Sequence, residues 1–287
     1  MAVKGENRIM HKDLVAAFNK LVEIIKTDER CKGGWHYGSV GRGKTDIYSD
    51  YDPVFLVADK DFEQFAADVS KMLEQISDEL LICWPENYNS NVFKNYCGVI
   101  RIGENLHQHD FFILNYDYPE EWWCRQHCKG CTRENIFFDR NGETAAFLDK
   151  GYTTGNYTPD TVRAMDTYWF HAMMLVKYFK RKDIFKLIKN ISEFLFHAHV
   201  DLLLSRYDTL DWGAWETKVK YCVPEEKQEH LKMYFAPAEI SSLQTAMEKS
   251  VNLFKNDAEE ICKEKGITYP VTISEQIISY FTKNVLI

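Results

Sequence analysis

The chain has 287 residues, 45% apolar and 27% charged, an ordinary globular balance over a length that suggests two domains. Its 35 basic and 43 acidic residues give a net charge of −8, which speaks against a surface built to neutralise nucleic-acid phosphates and suits a small cationic partner. No apolar stretch approaches the roughly 20 residues of a membrane span, and the first 26 residues show no signal-peptide pattern. The expectation is therefore a cytoplasmic protein with no nucleic-acid or membrane partner, its eight cysteines reduced thiols.

With only 14 glycines and 7 prolines, long helices are expected. Leu14, Phe18, Leu21, Val22 and Ile25 fall at helical spacing. A glycine-rich segment follows, Gly33-Gly34 and then Gly38-Ser39-Val40-Gly41-Arg42-Gly43, read as a strand end and a tight loop. Val54-Phe55-Leu56-Val57 suits a buried strand, and Asp61 through Ile76 returns to helical spacing. Strands are expected over Leu80–Trp84, Tyr96–Ile102 and His109–Asn115, with Gly103-Glu104-Asn105 as a turn. Residues 151–156, Gly-Tyr-Thr-Thr-Gly-Asn, read as a linker. Pro159 then suits a first helical turn capped by Thr158. A first long helix carries Val162, Met165, Trp169, Ala172, Met173, Val176 and Phe179 as its buried stripe, and others are expected over Ile184–Leu204 and Ile240–Lys265. The fold class is α+β: an N-terminal mixed β-sheet domain with flanking helices over residues 1–152, and a C-terminal all-α bundle over 153–287.

The chemistry concentrates in residues 37–52. Asp50 and Asp52 are two apart, so an extended backbone points both carboxylates the same way. Side by side they repel unless a cation joins them, and hard oxygen ligands of this kind suit Mg²⁺. Gly38-Ser39 offers backbone N–H groups and a hydroxyl for phosphate oxygens, and Arg42 and Lys44 add positive charge. Asp110 precedes Phe111-Phe112-Ile113-Leu114 as Asp52 precedes its own apolar run. If the two strands are neighbours, three carboxylates converge on one or two metals, with Asp110 as a third ligand or as the general base. Together these parts describe a site for a metal-bound nucleoside triphosphate.

Gly-Ser, ten residues, Asp-x-Asp and a later strand carboxylate resemble the nucleotidyltransferase superfamily typified by DNA polymerase β. The fuller run Asp28-Glu29-Arg30, Tyr37-Gly38-Ser39 and Tyr48-Ser49-Asp50 is most similar to the two-domain lincosamide nucleotidyltransferases. Lys177-Tyr178-Phe179-Lys180-Arg181-Lys182-Asp183 resembles the Lys-x-x-x-Arg-Gly-Glu stretch of streptomycin-type adenylyltransferases. The resemblance implies an enzyme moving AMP from ATP, with Mg²⁺, onto a hydroxyl of a lincosamide or aminoglycoside, with release of pyrophosphate. It makes Lys177 a phosphate contact, with Arg181 on the same helix face. Two departures stand out: Pro53 replaces a usual aliphatic residue, and Lys182 a usual glycine. Competing readings are a nucleotidyltransferase that modifies a protein, and a non-catalytic nucleotide-binding regulatory module.

The remaining motifs carry less. Cys124-x3-Cys128-x2-Cys131 has the spacing of a radical-enzyme iron–sulfur motif, and His127, with His107 and His109 elsewhere, could instead complete a zinc site; no barrel pattern surrounds the cysteines and no paired fourth is evident, so reduced thiols are the plainer reading. His197 and His199 read as core or flank histidines, and Trp122-Trp123, Trp212 and Trp215 as packing. Asp211 and Glu216 lie beside the last two and could hold a cationic ligand.

Overall fold

The computed structural model describes residues 10–150, 158–210 and 212–286; the expected linker at 151–156 and Asp211 lie outside them. The chain divides into two compact units, Met1–Gly155 and Asn156–Ile287.

In the first unit α1 (Lys12–Thr27) precedes β1 (Cys31–His36), the single turn α2 (Gly38–Gly41) and β2 (Pro53–Val57). Next come α3 (Asp59–Ala67), α4 (Val69–Ile76), β3 (Glu79–Pro85), β4 (Phe93–Ile102) and β5 (Asn105–Asn115). The unit closes with α5 (Trp122–Cys128), β6 (Ile136–Asp139) and α6 (Glu143–Leu148). The strands form one sheet in the order β3-β4-β5-β2-β1-β6. Among the described residues only β2 and β5 run parallel, so the sheet is mixed and the fold α+β.

β2 lies inside the sheet and is buried on both faces, which is why its sequence is a continuous apolar run. Phe55 and Val57 face a core shared with α1, α3 and α4. Val54 and Leu56 face a second core that Cys124, Cys128, Phe147 and Leu148 close from the other side. Pro53 stands at the first position of its strand, where a missing N–H costs least. The helix expected over 61–76 is two helices that meet at Asp68, whose carboxylate takes Arg30 and Lys71 at 2.9 Å each. β4 and β5 begin earlier than their apolar runs.

The second unit is helical: α7 (Thr161–Arg181), α8 (Ile184–Lys189), α9 (Phe196–Tyr207), α10 (Trp215–Cys222), α11 (Glu225–Lys232), α12 (Ile240–Lys265) and α13 (Val271–Phe281). A π-helical segment, Asn190–Leu195, joins α8 to α9. The cap of α7 is Asp160 rather than Thr158; its carboxylate accepts from the amides of Val162 and Arg163. Val162 and Met173 are exposed, and Tyr168 and Leu175 take their places in the buried stripe. α7 ends at Lys182, which adopts the left-handed conformation (φ 53°, ψ 34°) in which glycine is favoured. No helix among the described residues is long and apolar enough to cross a membrane.

Candidate active site

The parallel register of β2 and β5 builds the acid cluster. Val54 pairs with Phe112, and the isolated bridge Tyr51 to His109 carries the same offset. Asp52 therefore stands beside Asp110, with Asp50 one row further on the same face. One carboxylate oxygen from each of Asp50, Asp52 and Asp110 lies within 4.8 Å of the others. Burial pushes the Asp52 carboxyl up to about 8, and Asp50 and Asp110 add to the shift. Asp50 is raised as well, first by burial, with Asp110 contributing. Asp110 Oδ2 accepts from Gln108 Nε2 at 3.0 Å, while Asp110 Oδ1 is buried with no partner among the described residues. Three hard oxygen donors, mutually repelling and one of them orphaned, fit a divalent metal.

Gly38 opens the turn that follows β1. Its φ is +53°, and a Cβ there would stand 1.8 Å from Asp52 Oδ2. Glycine is thus required by the Asp52 carboxylate as well as by the backbone. Ser39 Oγ is buried with no partner among the described residues, as a hydroxyl kept for a ligand would be. The loop from 42 to 49 is organised by Asp46, which accepts from the Tyr48 amide and takes the Ser49 hydroxyl.

The four expected cations fare differently. Arg42 donates at 2.6 Å to the carbonyls of Gly130 and Lys129, so its guanidinium is engaged with the loop after α5. Lys44 is exposed, and its amide donates to Ser39 O at 2.9 Å. Lys177 and Arg181 belong to the helical unit, exposed and one turn apart on α7. The Lys177 ammonium lies 4.9 Å from the centre of the Tyr178 ring.

Sheet register adds residues that spacing does not show. Trp84 pairs with Cys97, and Cys97 with Asp110, so Trp84, Cys97, Asp110 and Asp52 form one row across four strands. The Cys97 thiol donates to Glu86 Oε1 at 3.2 Å. Burial first, then the neighbouring Asp110 and Glu86, push it up to about 12 against a hydrogen bond from Trp84. Glu86 is thus a fourth carboxylate beside the cluster. The sequence carries no signal of this row: Leu80–Trp84 is an unbroken apolar run, and the registers of β3 with β4 and β4 with β5 set the row.

The other motifs are structural. Cys124 and Cys128 are unbridged thiols buried in a sheet core. His127, in the same cluster, donates from Nδ1 to Trp123 O at 2.8 Å. The Trp123 ring stacks on Phe93 with centroids 4.8 Å apart. His199 is a core residue.

The streptomycin adenylyltransferase family matches residues 12–284. Among solved structures the chain is similar to an aminoglycoside 6-adenyltransferase from Bacillus subtilis, with 13% identity and a TM-score of 0.44 over 96% of this chain and 99% of that one. It is also similar to a nucleotidyltransferase-like protein from Exiguobacterium sibiricum, with 10% identity and a TM-score of 0.27 over 94% of this chain and 87% of that one. No curated protein matches the chain. With the family match running through both units, the chain belongs to the streptomycin adenylyltransferase family and is a nucleotidyltransferase.

Proposed function

We propose that this protein transfers AMP from Mg²⁺-ATP to a hydroxyl of a small antibiotic, an aminoglycoside or a lincosamide, in the cytoplasm where ATP is made. The observation that carries the reading is the convergence of Asp50, Asp52 and Asp110 beside an unpartnered Ser39 hydroxyl. The three carboxylates hold the metal. When bound, Mg²⁺ would neutralise phosphate charge and stabilise the departing pyrophosphate oxygen. Gly38 and Ser39 bind the triphosphate, joined by Lys44; on the helical unit, Lys177 and Arg181 are the cations suited to phosphate. Arg42 holds its loop in place through the carbonyls it already contacts.

In the reaction the acceptor oxygen attacks the α-phosphorus. A new P–O bond forms, the bridging α–β bond breaks, and pyrophosphate leaves. With Asp110 Oδ2 taken by Gln108 and its other oxygen turned to the cluster, Asp110 suits ligation. The hydroxyl proton then passes to Glu86, whose Oε1 accepts from the thiol of Cys97, the cross-strand neighbour of Asp110.

The test is pyrophosphate release from Mg²⁺-ATP with streptomycin, kanamycin, spectinomycin, lincomycin and clindamycin, with Asp50→Asn as control. Release with one drug, lost in the variant, is expected. Silence across the panel with ATP still bound would overturn the reading. A labelled band after incubation with lysate and labelled ATP would then point to a protein acceptor, and ATP binding without turnover to a regulatory module.

A further inference from the structure

The face of the sheet that carries the acid cluster continues outward from it as an open apolar platform. Trp84 on β3 is 57% exposed, Ile82 beside it 50% and Leu106 on β5 61%. Ile82 pairs with Val99, and Val99 with Gln108, which bonds Asp110, so Ile82 shares the cluster's face. Leu106 lies on it too, four residues before Asp110 on the same strand. Trp84 is two strand spacings from Asp110, about 10 Å. Cys97 stands between Trp84 and Asp110 in the row across the sheet, and its thiol donates to Glu86 Oε1 at 3.2 Å.

We propose that Trp84 is the floor of the acceptor subsite, where it stacks against the C–H face of a saturated, hydroxyl- and amine-bearing ring, a sugar or cyclitol. The inference rests on the proposed function and specifies its acceptor. Displacement at phosphorus is in line, so acceptor and leaving pyrophosphate stand on opposite sides of the α-phosphorus. The Gly38–Ser39 turn follows β1, on one side of the cluster in the strand order; β4 and β3 lie on the other. If the triphosphate is held on the β1 side, the acceptor approaches from the side of Trp84. The ring's C–H face covers the indole, its hydroxyl reaches the cluster, and its ammonium groups lie in the negative field of Glu86 and the acid cluster. This is the charge complementarity that selects a cationic ring over a neutral apolar one.

Because Trp84 is exposed, Trp84→Ala is expected to keep the melting temperature of the parent. Pyrophosphate-release kinetics should show the acceptor KM raised about tenfold or more, the ATP KM within twofold, and Trp84→Phe restored to within a few-fold of the parent. An acceptor KM unchanged in Trp84→Ala, with the parent active, would overturn the subsite and leave the proposed function standing. An equal rise in the ATP KM would overturn it in favour of a nucleotide contact. A parent inactive with every drug would bring down the proposed function and the subsite with it.

Discussion

Each unit of the chain carries a carboxylate that burial acts to neutralise, and the two are treated in opposite ways. In the helical unit Asp257, 1% exposed, accepts from His199 Nε2 at 2.9 Å, His230 Nδ1 at 2.7 Å and Lys227 Nζ at 2.5 Å. Burial raises its pKa, but the hydrogen bonds from His199, Lys227 and His230 outweigh that and hold it below the usual carboxylate range. The network runs on through His199 Nδ1 to the Tyr234 hydroxyl and from there to Tyr168. In the sheet unit Asp52 has Asp50 and Asp110 for neighbours, and both raise it further. A carboxylate kept for architecture is satisfied from within. One held among its own kind is left to be satisfied by what binds.

The largest expected effect follows directly. Asp52→Asn should lower kcat/KM by about a thousandfold, the several kcal/mol that a metal's charge stabilisation is worth. It should nevertheless leave the apoprotein as stable as the parent or more so, because a carboxyl whose ionisation burial and two neighbouring acids oppose gives way to a neutral amide. Mg²⁺ should raise the melting temperature of the parent and not that of the variant. A variant that melts well below the parent in the absence of metal would show that Asp52 is structural, and the contrast with Asp257 would collapse.

The opposite result is expected at Asp257. Asp257→Ala strips three donors of their acceptor inside the helical core, at a cost of about 3–5 kcal/mol, read as a lower urea midpoint. At temperatures where the variant stays folded its kcat should be that of the parent. A loss of kcat in the folded variant would give the Asp257 network a share in the chemistry.

How much of this was legible in the sequence follows from the same contrast. Asp50 and Asp52 could be read because period-2 alternation fixes their direction within one segment. Asp110 could be read because it opens an apolar run as Asp52 does. Trp84 and Glu86 could not, since they reach the cluster only through the registers of β3 with β4 and β4 with β5, which no local pattern encodes. Gly38 was legible as a glycine position for a partial reason: the space for a ligand was foreseen, and the Asp52 carboxylate that fills its Cβ position was not. In the fold, α12 was legible to its ends because 26 residues repeat the helical period and Gly266 stops it. α5, β6 and α6, of four to seven residues each, are too short for periodicity to register.

Buried histidines expose both units to acid, while protonation of Asp52 in the sheet unit acts in the opposite direction, which makes pH a gentler probe of the comparison. Burial lowers the pKa of His127 to about 4 against a hydrogen bond with Trp123, and also lowers that of His199. The unfolded chain takes up a proton near pH 6.5 that the folded chain refuses. Stability therefore falls as pH drops below about 6.5, by up to about 1.4 kcal/mol per pH unit for each such histidine. In the helical unit Asp257 and Tyr234 bond the His199 ring, while His230 and Lys227 act on it through their charges. His127→Phe should flatten the urea-midpoint profile of the sheet unit between pH 6.5 and 5 by about one proton and leave that of the helical unit unchanged. An unaltered slope would mean that His127 takes up its proton without unfolding.

The smallest expected effect tests whether the helical unit also holds something costly in reserve. Lys182 sits at φ 53°, a left-handed conformation that costs a residue with a side chain roughly 1 kcal/mol or more. The helix terminus demands it: the Lys182 amide donates to Phe179 O and the Asp183 amide to Tyr178 O, at 3.0 Å each. Glycine would make the same bonds without the penalty, so Lys182→Gly should raise stability by a few tenths to about 1 kcal/mol, offset in part by the greater freedom of the unfolded chain. The charge at 182 follows Lys177 and Arg181, the two cations of α7 proposed to meet phosphate. If the lysine serves the same end, the gain in stability will come with a rise in the ATP KM, and the strain will have a function as the repulsion at Asp52 does. If the ATP KM stays where it was, the left-handed lysine contributes only to the turn, and the sheet unit alone gives up stability for its ligand.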